Sequence, residues 1–128
     1  MKEIDLLRII EHPNVIKLYE VYEDETHIHI VLEHLKGGEL FRHIQQKGAY
    51  NEYDAAKVMK QLLSALCYIH KRGIIHRDLK PENIIVSEIG ASGIFKIADF
   101  GLATMTAGNL ETIRCGSPGY VGITIISS

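Results

Sequence analysis

Two short runs hold most of the side chains able to do chemistry: His76-Arg77-Asp78-Leu79-Lys80-Pro81-Glu82-Asn83, and Asp99-Phe100-Gly101. Polar residues this dense, set between apolar stretches, point to a site. Pro81 fixes its own φ and lacks an N–H, so Asp78, Lys80 and Asn83 belong on a loop whose shape the flanking elements hold. An acid, a cation and an amide thus converge. Phosphoryl transfer demands a positioned nucleophile and neutralised charge on the transferred group. Asp78 could accept the proton of an attacking hydroxyl. Asp99, close to a glycine that permits near approach, could hold a hard cation. Asn83 offers the same metal a neutral oxygen, and Lys80 offers phosphate oxygens a mobile positive charge.

The elements that must position these runs follow from periodicity. Ala55, Val58, Met59, Leu62, Leu63, Leu66 and Ile69 recur at three- and four-residue steps, which predicts a helix from about Glu52 to Arg72 with this stripe in the core. Asn51 is the expected N-cap, Asp54 lies in the first turn, and Gly73 stands where a C′ glycine closes a helix. Ile4 to Ile10 reads as a buried helix stopped by His12-Pro13-Asn14, with its natural start expected upstream of Met1. Val15 to Val21 and Thr26 to Leu32, joined by Glu23-Asp24-Glu25, read as a hairpin with one covered face. Gly37-Gly38 breaks that pattern before a short helix from about Glu39 to Gln46. Ile84-Ile85-Val86 and Ile94 to Ala98 are expected to pair as short strands. The Gly-, Thr- and Ser-rich stretch from Leu102 to Ser128 is expected to be loop.

Bulk properties narrow the function classes. The chain has 128 residues, 46% hydrophobic and 23% charged, which fits one modest globular unit. A net charge of −2 with both signs interspersed implies neither nucleic acid nor a membrane surface as partner. No apolar stretch approaches a spanning helix, and the start lacks a signal peptide, so the cytosol or nucleus is the default setting. Cys67 and Cys115 fit no paired spacing and read as reduced thiols. His27 and His29 would lie on one face of a strand. No third ligand stands at metal-site spacing, so ordinary strand histidines are the favoured reading there.

The two polar runs resemble the catalytic loop and magnesium turn of the protein kinases, and the likeness extends over nearly the whole chain. It implies a two-lobed α+β fold, here incomplete: residues 1–32 as the end of the small lobe from its αC helix, 33–38 as the hinge, 39–121 as the first part of the large lobe through the activation segment, and 122–128 as a divergent tail. By resemblance Asp78 is the catalytic base, Asn83 and Asp99 are magnesium ligands, and Lys80 meets the γ-phosphate of ATP. Lys80-Pro81-Glu82 resembles the serine/threonine form of the loop, and Arg77 favours a protein substrate and control through the activation segment. Glu3 corresponds to the αC glutamate. Leu7, Leu18, His76 and Phe100 correspond to the apolar column joining the lobes, with Gly101 closing the magnesium turn. Leu32 is the expected gatekeeper, Glu33 to Leu35 the backbone that holds adenine, and Leu40 and Ile85 its apolar contacts.

Gly38-Glu39-Leu40-Phe41 is similar to the calmodulin-dependent and cyclic-nucleotide-dependent groups, and implies that Glu39 and Glu82 select Ser/Thr substrates with basic upstream residues. The alternative for Glu39 is an ordinary helix-start carboxylate. Ser117, in Gly116-Ser117-Pro118, is expected to hydrogen-bond to Asp78 and Lys80. Thr104, Thr106 and Thr112 are candidate phosphoacceptors for pairing with Arg77, and Thr112 stands one step from the usual position.

The resemblance fails at both ends. A glycine-rich loop and a facing lysine would precede Glu3, and an Ala-Pro-Glu would follow Val121; the sequence reads Gly122-Ile123-Thr124 instead. A long helix left partly wet, marginal stability and weak ATP binding are the expected consequences for these residues by themselves. A non-catalytic fragment competing for a kinase's partners is the second reading.

Overall fold

A computed structural model of the chain describes residues 3–88, 93–106 and 117. The first helix, α1 (Glu3–Ile9), places Glu3 and Asp5 in its first turn and Arg8 in its last, each at the end the helix dipole favours. Leu6, Leu7 and Ile10 turn inward. The chain then crosses to the long helix, α3 (Glu52–Lys71), through His12-Pro13-Asn14. The His12 ring lies 5.0 Å from that of Tyr68, and the Asn14 side-chain amide donates to Gln61 Oε1 at 2.9 Å and to the Phe95 carbonyl at 3.0 Å.

Strands β1 (Leu18–Glu23) and β2 (Ile28–Leu32) form an antiparallel hairpin with Leu18 opposite Leu32 and a bulge between Leu18 and Glu20. The strand expected from Val15 starts three residues later. Val15 is instead spent on an isolated parallel bridge to Ile97, with Ile16 N–H donating to Ile97 O at 3.0 Å. Asp24 closes the turn by accepting from the amides of Thr26 and His27, each at 2.8 Å, and its second oxygen meets His29 Nε2 at 2.7 Å. These contacts, the His29 one above all, hold its carboxyl well below the usual carboxylate range. The expectation of a covered face fails, because every residue of β2 is exposed. The hairpin forms its own two-stranded sheet, and alternation alone cannot say whether a layer lies over it.

After the connection at 33–37 come β3 (Gly38–Glu39) and α2 (Leu40–Lys47). In α3, Asn51 Oδ1 accepts from Asp54 N–H at 2.8 Å, and Gly73 adopts φ 73° beyond the last turn, a conformation a Cβ disfavours. Val58, Leu62, Ala65 and Ile69 form the buried face. The stripe is narrower than periodicity suggests: Met59 is 50% and Leu63 56% exposed. They lie one position around the helix from the seam, where periodicity cannot separate a broad buried face from two adjacent ones.

Two further pairings need contacts distant in sequence. Strand β5 (Ile84–Val86) lies between β3 and β6 (Phe95–Ile97), as expected for the last two. Strand β4 (Ile74–Ile75) pairs with β7 (Thr104–Met105), so the stretch expected to be loop from Leu102 contains a strand. Two-residue strands are defined by their partners and leave no periodic trace. One cluster of buried residues, from Leu6 and Leu7 through Leu62 and Ile69 to Ile97 and Phe100, joins α1, α3 and strands β4, β5 and β6. Among the described residues no helix is long and apolar enough to cross a membrane.

Candidate active site

The loop after β4 is fixed from below by His76. Asp78 N–H donates to its Nδ1 at 3.2 Å, so Nε2 carries the proton and donates to the Ala98 carbonyl at 2.9 Å. The ring meets Phe100 edge-on at 4.9 Å, and both are buried. Burial pushes the His76 pKa down, against a partial upward pull from the Ala98 carbonyl and the carboxylates of Asp78 and Asp99. A neutral imidazole thus joins the two polar runs. Leu7 belongs to the same buried cluster as Phe100, and Leu18 packs against it.

Above His76 the side chains converge on Asp78, whose side chain is 11% exposed. Its Oδ1 accepts from the Ser117 hydroxyl at 2.6 Å, and Ser117 accepts from Lys80 Nζ at 2.5 Å. Lys80 Nζ also stands 3.6 Å from Asp78 Oδ2. The Asn83 amide nitrogen donates to the Asp78 carbonyl at 2.9 Å and to Oδ2 at 3.2 Å. Burial pushes the Asp78 carboxyl up. The Ser117 hydroxyl, the Lys80 charge and the Asn83 amide outweigh that and hold it below its ordinary value. The loop turns through a 3₁₀ segment, Pro81–Asn83, with Pro81 at its start where a missing N–H costs nothing.

Asp99 adopts φ 54° and Arg77 φ 67°, left-handed conformations unusual for residues with a Cβ. Asp99 Oδ1 accepts from Gly101 N–H at 3.2 Å, and a Cβ on Gly101 would sit 3.2 Å from that same oxygen. Arg77 Nε donates to the Leu102 carbonyl at 2.6 Å. The Glu3 carboxylate accepts from Phe100 N–H at 3.2 Å, so α1 holds the backbone of the Asp99 turn directly. Sequence reasoning gave Glu3 a lysine partner and missed this contact. It also missed Asn14 and Gln61, whose signal was polarity at otherwise buried positions.

The residues fit the groups that the resemblance implies. Because the Asn83 nitrogen faces Asp78, its amide oxygen is turned away from that carboxylate and, with Asp99, offers two oxygen donors. Two is a usual protein share for magnesium, which keeps water and phosphate oxygens as its other ligands. Among the described residues no cluster of three His, Cys, Asp or Glu could hold a metal, and His27 and His29 serve the Asp24 turn. On the 33–35 connection, Glu33 N–H donates to Lys17 O at 2.9 Å, while the Leu35 amide and the Glu33 carbonyl have no partner among the described residues. That leaves a donor and an acceptor on one backbone edge. Leu40 is buried, Ile85 half-buried and Leu32 exposed.

Other expected residues are placed as follows. Glu39 caps α2 without a side-chain hydrogen bond. Glu82 Oε2 is buried with no hydrogen-bond partner among the described residues. Thr104 lies in β7, and Thr106 N–H donates to Gly73 O at 2.6 Å. Thr112, Cys115, Gly116 and Pro118 lie outside the described residues. A cavity of about 720 Å³ opens between α1 and β1, lined in part by Leu7, Val15, Leu18 and Val21, and no residue of either polar run lines it.

Comparison with known proteins accounts for this arrangement. The protein kinase domain family matches residues 1–128. Over 125 residues the chain is 42% identical to a calcium/calmodulin-dependent protein kinase type 1 of Macrobrachium nipponense, covering 98% of this chain and 36% of that protein. It is 44% identical over 119 residues to the human calcium/calmodulin-dependent protein kinase type 1B, covering 93% and 35%. To the human type IV kinase it is 47% identical over 126 residues, covering 97% and 26%. The chain spans about a third or less of the length of these curated relatives. With a match along its entire length and this likeness to calcium/calmodulin-dependent protein kinases, the chain belongs to the protein kinase domain family.

Proposed function

We propose that residues 1–128 are the catalytic-core segment of a protein serine/threonine kinase, which transfers the γ-phosphate of ATP to a Ser or Thr hydroxyl of a protein substrate. The observation that carries this reading is the Asp78 cluster: a largely shielded carboxylate, kept ionised by Ser117, Lys80 and Asn83. An ionised Asp78 can orient a substrate hydroxyl and take up its proton as the O–P bond forms. Lys80 lies where it can follow charge onto the transferred oxygens. Asn83 and Asp99 are the residues that would hold magnesium, which supplies charge neutralisation on the phosphates when bound. The Glu33 carbonyl and Leu35 amide suit the edge of adenine, between Leu40 and Ile85.

On this reading residues 1–32 belong to the small lobe, 33–38 are the hinge and 39–121 belong to the large lobe. The buried Glu82 oxygen, without a hydrogen-bond partner among the described residues, and Glu39 in β3, which packs against the Pro81–Asn83 turn, support a preference for basic residues upstream of the target. The exposed free thiol of Cys67 supports a reducing cytosolic or nuclear setting.

The test is phosphate transfer from labelled ATP to a basic Ser peptide by the full-length protein that carries these residues. Asp78→Asn is expected to lower the rate by roughly 10²- to 10⁴-fold, the usual contribution of a positioned base. Undiminished transfer in that variant would refute the assignment. Residues 1–128 expressed alone are expected to show no measurable turnover, because they include neither a glycine-rich phosphate loop nor a lysine strand facing Glu3.

A further inference from the structure

Glu33, the first residue past β2, has a carboxylate fully engaged away from the backbone edge described above. One oxygen lies 2.8 Å and the other 3.0 Å from Lys96 Nζ, and the second also accepts from Lys17 N–H at 3.2 Å. Only 13% of the Lys96 side chain and 20% of the Glu33 side chain remain exposed, so solvent screens this pair less than a surface one. Lys96 sits in β6 between buried Phe95 and Ile97, opposite Ile85 in β5. The same strand runs on into Asp99. Its exit is fixed as well, by Ala98 N–H donating to Asn83 O at 2.8 Å.

We infer that Glu33 and Lys96 are a positioning pair, which fixes the 33–35 backbone against β6 and thereby sets the spacing between the adenine edge and the Asp99 carboxylate. The inference rests on the proposed kinase reading. Neither side chain is directed at nucleotide: both Glu33 oxygens are taken, and Lys96 is turned toward Glu33. Their effect is therefore indirect, through the backbone each one anchors. With the pair broken, Glu33 keeps the hydrogen bond from its N–H to Lys17 O but loses its direct side-chain tie to the strand that leads into Asp99. A nucleotide that must meet both ends would then bear the cost of aligning them.

The test measures Mg·ADP binding by calorimetry on the full-length protein, alongside its melting temperature. Lys96→Met and Glu33→Gln are each expected to weaken Mg·ADP binding about tenfold, roughly 1.4 kcal/mol. Lys96→Arg should bind within about threefold of wild type, and the charge-reversed double variant Glu33→Lys/Lys96→Glu should recover most of the loss. Wild-type affinity in Lys96→Met, with phosphate transfer intact, sinks the positioning role alone. Equal losses in the Met, Arg and reversed variants, tracking a fall in melting temperature, would reduce the pair to a merely structural one. Failure of the wild-type protein to bind Mg·ADP would remove the kinase reading itself.

Discussion

Lowering the pH from 7.5 to 5.5 should destabilise the protein through His76. This histidine is buried, gives its Nε2 proton to Ala98 O, and uses Nδ1 to accept from Asp78 N–H. A second proton on Nδ1 must displace that amide. The folded pKa is therefore depressed, and the unfolded chain, with an ordinary value of 6.5, takes up the proton first. The stability is fully present above 6.5 and is lost as pH falls from there toward the folded value, with a slope of at most about 1.4 kcal/mol per pH unit for each such histidine. His12 shifts in the same direction, by burial and by the nearby charge of Arg72, and its Nδ1 likewise accepts an amide, that of Asn14 at 3.0 Å. Two histidines thus act together in wild type. His76→Phe keeps the ring against Phe100 but leaves Ala98 O and the Asp78 amide unpaired, at a cost of about 2–4 kcal/mol at pH 7.5. Urea denaturation of the full-length protein followed by circular dichroism at pH 7.5, 6.5 and 5.5 reads both effects. The variant should start less stable and lose less on acidification than the wild type. An identical pH slope in wild type and variant would show that the His76 proton is not coupled to folding.

Two further outcomes follow from packing. Asn14→Ala removes the donor that bridges Gln61 and Phe95 O and should cost about 2–3 kcal/mol in the same denaturation experiment, since a buried carbonyl loses a partner. The double variant Met59→Glu/Leu63→Lys, on the exposed side of α3, should leave the stability of residues 1–128 expressed alone within about 0.5 kcal/mol per site while raising their solubility in a light-scattering assay.

How much of this was readable in the sequence depended on the range of the forces involved. Helix α3 was legible because its cap, its period and its closing glycine are all local. The polar loop at 76–83 was legible because Asp78, Lys80 and Asn83 are poor candidates for an apolar core, and the Ser117 contact was anticipated by resemblance. Strands β4 and β7 were not, since Ile74-Ile75 and Thr104-Met105 become strands only by meeting across a long sequence separation. Val15 and Ile16 look like the start of β1, yet their β-branched side chains serve a bridge to Ile97, and local propensity cannot choose between partners. Lys96 was passed over inside a short apolar strand, where a charged residue flanked by buried neighbours is itself a sign of a specific counter-ion.

The left-handed backbone at Asp99 has a consequence of its own. A glycine there would adopt φ 54° without the Cβ clash, relieving on the order of 1 kcal/mol of local strain. On the proposed reading it would also delete the carboxylate that would hold magnesium. Selection for robustness and selection for turnover therefore pull in opposite directions at this one position. A lineage released from the second demand would be expected to drift toward glycine at Asp99 and gain stability by doing so.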